Sequence, residues 1–188
     1  RPIPAARSAW RARFDSAEGA WRLARAIRAR ALEPAVLSVL SPEAASALDR
    51  RLSASGEGAW TLLWAFEGNR GAVDWLKNEV EGLLHEEKPK EMAPIEEPKY
   101  LEAIDGLASL RDVEARERGD TILISLAALP ADGADVQAAI GEGLTVGDGT
   151  SGIHLARLRA GVEGARKFLD HAIEVARRFQ GALTVLSA

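Results

Sequence analysis

The sequence predicts an α+β fold of two tandem ferredoxin-like (βαββαβ) halves, with an antiparallel sheet and helices on one face. Three observations predict it. Stretches of period two and of period 3.6 alternate along the chain, as strands and helices require. The order strand, helix, strand, strand, helix, strand is read over residues 121–186 and again in the first half. No metal set, triad or phosphate loop accompanies either copy, so the architecture offers a surface rather than a built catalytic cluster. The first half is assigned residues 1–97, a linking helix 98–118 and the second half 119–188.

Arg1-Pro2-Ile3-Pro4 is kept extended by its prolines and reads as a linker from an upstream domain. Residues 8–14 alternate, with Trp10, Ala12 and Phe14 on one side and Arg11 and Arg13 on the other, a half-covered strand. Asp15 is the expected cap of the next helix, in which Ala17, Ala20, Trp21, Ala24 and Ile27 form an apolar stripe. Residues 35–40 are a short strand, and Ser41-Pro42 opens a small helix with Pro in the first turn. Residues 53–58 form a loop, and the aromatic-rich run 60–66 is a strand. Asn69 caps a helix carrying Val73, Leu76, Val80 and Leu83. The charged, proline-broken stretch after His85 holds an edge strand near Glu91-Met92, since proline is tolerated at edges.

The linking helix places Leu101, Ile104 and Ala108 in register. Residues 121–127 are a strand and 132–140 a short helix; strands follow at 144–146 and 153–159 around a glycine turn. A long helix over 162–179 is stopped by Gly181, and 182–186 is the last strand.

At 188 residues the chain buries a real core. Its net charge of -4 argues against a general nucleic-acid binder. The charge is uneven: residues 1–51 hold ten arginines against five acids, while the remainder carries -9. The basic third suits an acidic partner or anionic ligand; a solvated helix face is the blander reading. The absence of cysteine excludes disulfides and Cys-held zinc or iron–sulfur sites in this chain and fits a reducing, cytoplasmic setting. No apolar run reaches the roughly 18 residues that span a bilayer. Scarce Asn, Gln and Met beside plentiful Arg and Glu lean toward a thermophile, as GC-rich coding also would.

Gly147-Asp148-Gly149-Thr150-Ser151-Gly152 spells G-x-G-x-x-G, but a dinucleotide loop must lead into a helix and this one leads into a strand, so it is read as a hairpin turn. The three histidines, His85, His154 and His171, have no helical ligand spacing, and no metal site is expected. His154, after the glycine turn, is the candidate acid–base group, with a sheet-edge histidine as the alternative. Arg11, Arg13, Arg157 and Arg159 are strand arginines. On an open sheet face they would present forks suited to a carboxylate; a salt bridge to a neighbouring element is the other reading. Trp60 and Trp64 share one strand face and read as core. No serine occupies a nucleophile elbow, and the pairs Glu86-Glu87 and Glu96-Glu97 read as solvated loop runs.

Three stretches carry a family resemblance: RPIPAARSAWRARFDSAEGAWRLARAIRARALEPAVLSVLSPEAA, AWTLLWAFEGNRGAVDWLKNEV and GARKFLDHAIEVARRFQGALTVLSA. They resemble the C-terminal domain of the FAD-linked oxidase family, closest to the FAD-binding subunits of bacterial glycolate oxidases. The resemblance implies that this portion covers a flavin (FAD) held mainly by an upstream FAD-binding domain. It also implies oxidation of a small 2-hydroxy acid to a 2-oxo acid, and assembly with other subunits, an iron–sulfur subunit among them, at most peripheral to the inner membrane. The missing initiator Met at Arg1 fits a piece of a longer polypeptide, expected to be inactive alone. Relatives acting on lactate-like acids carry Gly-Asp-Gly-Asn-x-His with companion metal-binding histidines. Here Thr150-Ser151-Gly152-Ile153 separates Gly149 from His154 and the companions are missing, so the resemblance implies no metal. The competing class is a non-catalytic ligand-binding or assembly module on the same fold.

Overall fold

The computed structural model describes residues 4–52, 58–110, 121–141 and 143–187. The expected lead at residues 1–3, most of the loop at 53–58 and the linking stretch beyond residue 110 lie outside the described residues.

Among the described residues eight strands and six helices follow in order: β1 (Ala6–Phe14), α1 (Ala17–Ala29), β2 (Val36–Leu40), α2 (Pro42–Arg51), β3 (Trp60–Gly68), α3 (Arg70–Glu87), β4 (Glu91–Ile95), α4 (Glu97–Leu110), β5 (Thr121–Ala127), α5 (Gly133–Ile140), β6 (Leu144–Asp148), β7 (Ile153–Arg159), α6 (Val162–Arg178) and β8 (Ala182–Ser187). A 3-10 turn, Pro130–Asp132, leads into α5. All the strands join one antiparallel sheet in the order β4-β1-β3-β2-β6-β7-β5-β8. Each half keeps the ferredoxin-like arrangement, first and third strands in the middle, and the halves meet where β2 pairs with β6. The strand around Glu91-Met92 lies at the sheet's outer edge, where Pro94 costs no ladder bond on its solvent side.

α1 starts at Ser16, whose hydroxyl accepts from the Gly19 amide at 3.2 Å. This corrects the Asp15 cap: Asp15 is exposed and pairs instead with Lys90. Ser41 and Asn69 cap α2 and α3 by accepting from the Ala44 and Ala72 amides. At the end of α6 the left-handed residue is Gln180, φ 50°, and the Gly181 amide closes back on the Ala176 carbonyl at 2.7 Å.

Three apolar clusters build the layers. α1 and α3 pack Trp21, Leu23, Ile27, Val73 and Val80 on one face of β1–β3, against Leu37, Leu62, Trp64 and Phe66. α5 and α6 cover the same face of the second half through Val136, Ile140, Phe168 and Ala172. The expectation of helices on one face needs correction in the first half. α2 and α4 cover its reverse face, with Leu48, Tyr100, Ala103 and Leu107 on Ala9, Leu40, Leu63, Ala65 and Val146. Each of these helices carries its own apolar stripe, and a stripe must be buried.

That second layer removes the open face on which Arg11 and Arg13 were expected. Both strand guanidinium groups meet Asp49 of α2: Arg11 Nη1 donates to Oδ1, and Arg13 Nη2 donates to Oδ2 at 2.6 Å. Arg13 also lies 3.3 Å from Glu91. The carboxylate they hold belongs to the chain itself. Asp49 and Arg13 are 7% and 8% exposed, so removing Asp49 takes from Arg11 and Arg13 the carboxylate they share and leaves Arg13 with the more exposed Glu91. Asp49→Ala is expected to lose roughly 3–5 kcal/mol of stability in denaturant unfolding. The exposed control Glu102→Ala is expected to stay within about 0.5 kcal/mol of the parent. Equal midpoints for the two variants would refute the buried pairing.

Candidate functional site

The joint between the halves holds the buried polar groups of greatest interest. β2 and β6 share three facing pairs, Ser38 with Asp148, Val39 with Gly147 and Leu40 with Val146. Above them Trp21 of α1 reaches into the second half. Its indole Nε1 donates to Gln137 Oε1 at 2.6 Å, and Gln137 Nε2 donates to the Val39 carbonyl and to Thr145 Oγ1, both at 3.1 Å. Gln137 is 1% exposed and its amide is satisfied at both ends, which a side chain so deeply placed requires. Room for the indole comes from glycine. A Cβ at Gly147 or at Gly133 would stand 2.6 Å from the ring, closer than packing permits.

The turn after Gly147 binds itself. Asp148 Oδ1 accepts from the Thr150 amide at 2.8 Å, the Ser151 amide at 3.0 Å and the Thr150 hydroxyl at 2.6 Å. Gly152 takes φ 73°, which reverses the chain into β7. The amides that a pyrophosphate would need are thus occupied by the chain's own carboxylate, and a strand follows. Both facts agree with the hairpin reading and leave no dinucleotide cradle here.

His154 is not at a sheet edge. It faces Gly147 across the β6–β7 ladder, is 0% exposed, and lies 5.4 Å from the Trp21 ring centroid. Neither ring nitrogen has a hydrogen-bond partner among the described residues. Burial lowers its pKa to about 4, against a smaller upward pull from Asp148. The ring is therefore neutral at pH 7 and sealed from solvent, which puts it out of reach as the acid–base group first suggested. His171 donates to the Ala139 carbonyl at 2.6 Å, and His85 is exposed at the end of α3. Among the described residues no group of acids and histidines could hold a metal ion.

Arg157 and Arg159 lie on β7, on the face away from His154, opposite Leu123 and Thr121. That is the sheet face of Arg11 and Arg13, but four strand spacings separate β1 from β7. At about 4.8 Å per strand the two pairs stand roughly 19 Å apart, too far to share one small acid. The basic character of the first third is largely internal: Arg22 pairs with Glu87, Arg25 with Glu18 at 2.5 Å and Arg30 with Glu79 at 3.4 Å. Trp64 is core, 1% exposed, and Trp60 packs against the same cluster.

Beside the joint, on the reverse face, a cleft of about 430 Å³ opens between β2, α4 and the β6–β7 turn, with Ser38, Asp148 and Thr150 on its polar wall. A wider concavity of about 650 Å³ lies at the far edge, between the ends of β5, α6 and the start of β8. Its lining includes Ala127, Leu129, Asp132 and Arg178, the last stacked over Phe179. Sequence reading missed Gln137 and Ser38. A lone Gln amid apolar residues of a short helix was the signal for the first; a serine in the middle of a buried strand was the signal for the second.

No family model matches the chain, and no curated protein matches it. Solved structures do. Alkyldihydroxyacetonephosphate synthase, in two crystal forms, superposes over 97% of this chain with TM-scores of 0.65 and 0.68 at 15% and 13% identity. P-cresol methylhydroxylase with substrate bound superposes over 95%, with a TM-score of 0.56 at 13% identity. This chain spans only 40–43% of the length of those proteins. At such identity the likeness establishes the fold.

The buried histidine has a thermodynamic signature. Unfolded, His154 takes up a proton near pH 6.5; folded, it resists down to about 4. Its contribution to stability is therefore complete above about pH 6.5, falls as pH drops toward 4, and levels off below. The loss amounts to about 3 kcal/mol. His154→Phe is expected to remove that slope, and to gain stability at pH 7 because two unsatisfied nitrogens disappear. Denaturant unfolding at pH 7 and pH 4.5 checks both; an unchanged slope in the variant would overturn this account.

Proposed function

We propose that this chain is the substrate-covering part of a flavin-dependent oxidoreductase acting on a small 2-hydroxy acid, of the glycolate type. The observation that carries the reading is the likeness of almost the whole chain to a portion of two FAD-linked oxidase family members, of which it spans 40–43%. The three sequence stretches that resemble the same family support it independently of the fold.

FAD fits this reading only in one way. The β6–β7 turn offers no pyrophosphate cradle, because the Thr150 and Ser151 amides are spent on Asp148. The phosphates would be held by another domain, and this chain would supply a wall near the reactive ring. The flavin, when bound, supplies the acceptor for the electrons leaving the hydroxy acid. The chain's own contribution is to exclude water and orient the acid.

Arg11 and Arg13 are committed to Asp49, so carboxylate recognition in this reading falls to Arg159 of β7. Arg159 is exposed and Arg157 partly so. Partner subunits, including an iron–sulfur subunit, and a cytoplasmic place at the periphery of the inner membrane complete the proposal. Among the described residues no helix is long and apolar enough to cross a membrane.

The test is dye reduction with glycolate by the assembled full-length flavoenzyme. Turnover is expected, and Arg159→Ala is expected to raise KM for glycolate roughly tenfold while kcat stays within about twofold, the pattern of a lost binding contact. Failure of every assembled form to reduce dye with any 2-hydroxy acid would overturn the reading.

A further inference from the structure

We infer that the concavity between the end of β5, the end of α6 and the start of β8 is a binding site for a small zwitterion with an apolar side chain, of the α-amino-acid class. Its volume of about 650 Å³ falls within the range of roughly 300–1,000 Å³ usual for small-molecule sites. Its floor is bare and fixed. Ala127 and Ala182, a facing pair of β5 and β8, bring only methyl groups. Gly181 brings none, since a Cβ there would stand 2.4 Å from the Ala127 carbonyl oxygen. The Gly181 amide closes on the Ala176 carbonyl at 2.7 Å, and the Ala128 amide on the Gly152 carbonyl at 3.0 Å. The backbone on both sides is thus tied down before a ligand arrives, which lowers the ordering cost of binding.

Two opposite charges choose the ligand. Arg178, at the end of α6, and Asp132, just before α5, are the charged groups among the described lining residues. Arg11, Arg13, Arg22, Arg25 and Arg30 each meet an acid. Among the described residues Arg178 and Asp132 have no such partner, and they do not pair with each other across the concavity. Asp132 makes no side-chain cap to α5 either. The Arg178 guanidinium lies 5.1 Å from the Phe179 ring centre, a stacking contact that holds its fork ready for a carboxylate. A simple acid would leave Asp132 facing a second negative charge, and a simple amine would leave Arg178 facing a second positive one. A molecule that carries both charges answers both walls. Leu129 is 67% exposed and lines the same concavity with Phe179, so the body of the ligand is apolar. The site goes beyond the flavin reading and does not require it.

The test titrates the full chain, followed by amide NMR, with four probes. L-leucine carries both charges and an apolar side chain; 3-methylbutan-1-amine and 4-methylpentanoate each lack one of the charges, and glycine lacks the side chain. Leucine is expected to shift the Leu129, Gln180 and Ala182 amides saturably, and to bind roughly threefold or more tightly than each of the others. Arg178→Met, which keeps an apolar stem beside Phe179, and Asp132→Asn are each expected to weaken leucine roughly three- to tenfold. Arg178 is exposed and Asp132 half-buried, so neither change disturbs the core, and amide spectra that match the parent away from the concavity check this. No saturable shift at these amides, any of the three other probes binding as tightly as leucine, or full affinity in either variant would each overturn the inference.

Discussion

One buried indole ties the helix layer of the first half to that of the second. The ladder between β2 and β6 has three facing pairs, extended by bonds from the Ser41 amide to the Thr145 carbonyl and from the Gly149 amide to the Leu37 carbonyl. Trp21 adds a constraint from the helix layer. It leaves α1, is wholly buried, and spends its single donor on Gln137 of α5, while Gln137 hands its own donors to β2 and β6. Sheet and helix layer are therefore joined through one indole and its amide partner. The burial of His154, the shape of the glycine turn and the opening beside Ser38 all inherit the geometry that this contact sets.

Around that joint the charged groups obey a simple economy. Arginines that looked available in one dimension are paired in three: Arg11 and Arg13 with Asp49, Arg22 with Glu87, Arg30 with Glu79. Desolvating a guanidinium group is costly, so an arginine on a strand covered by helices must bring its counter-ion with it. Asp49 is that counter-ion, delivered by α2. There is a matching logic at Tyr100, whose hydroxyl donates to Glu67 at 2.8 Å; burial, then this bond, hold the phenol protonated well above its ordinary range.

Much of the fold was legible because local signals and tertiary demands agree. The Trp60–Gly68 and Thr121–Ala127 strands, the Asn69 cap and the edge position of the Pro94 strand all follow from periodicity and backbone chemistry. What was not legible was depth. Alternation places Arg11 and His154 on a face but cannot tell whether another layer lies above it. The α2 carboxylate that meets Arg11 and the indole that roofs His154 come from 38 and 133 positions away, respectively. Ser38 and Gln137 drew no notice for the same reason: a polar residue in a short apolar element gains meaning only when its neighbours are known.

The glycines around Asp148 carry a wider lesson about letter patterns. Gly147 is small because an aromatic bicycle occupies the volume a methyl would fill, and Gly152 is small because the chain must turn back. Two unrelated steric demands, one from a distant helix and one from the local backbone, spell out a string that nucleotide enzymes use for a third purpose. Motif searches built on such strings will therefore gather proteins whose shared letters record only crowding.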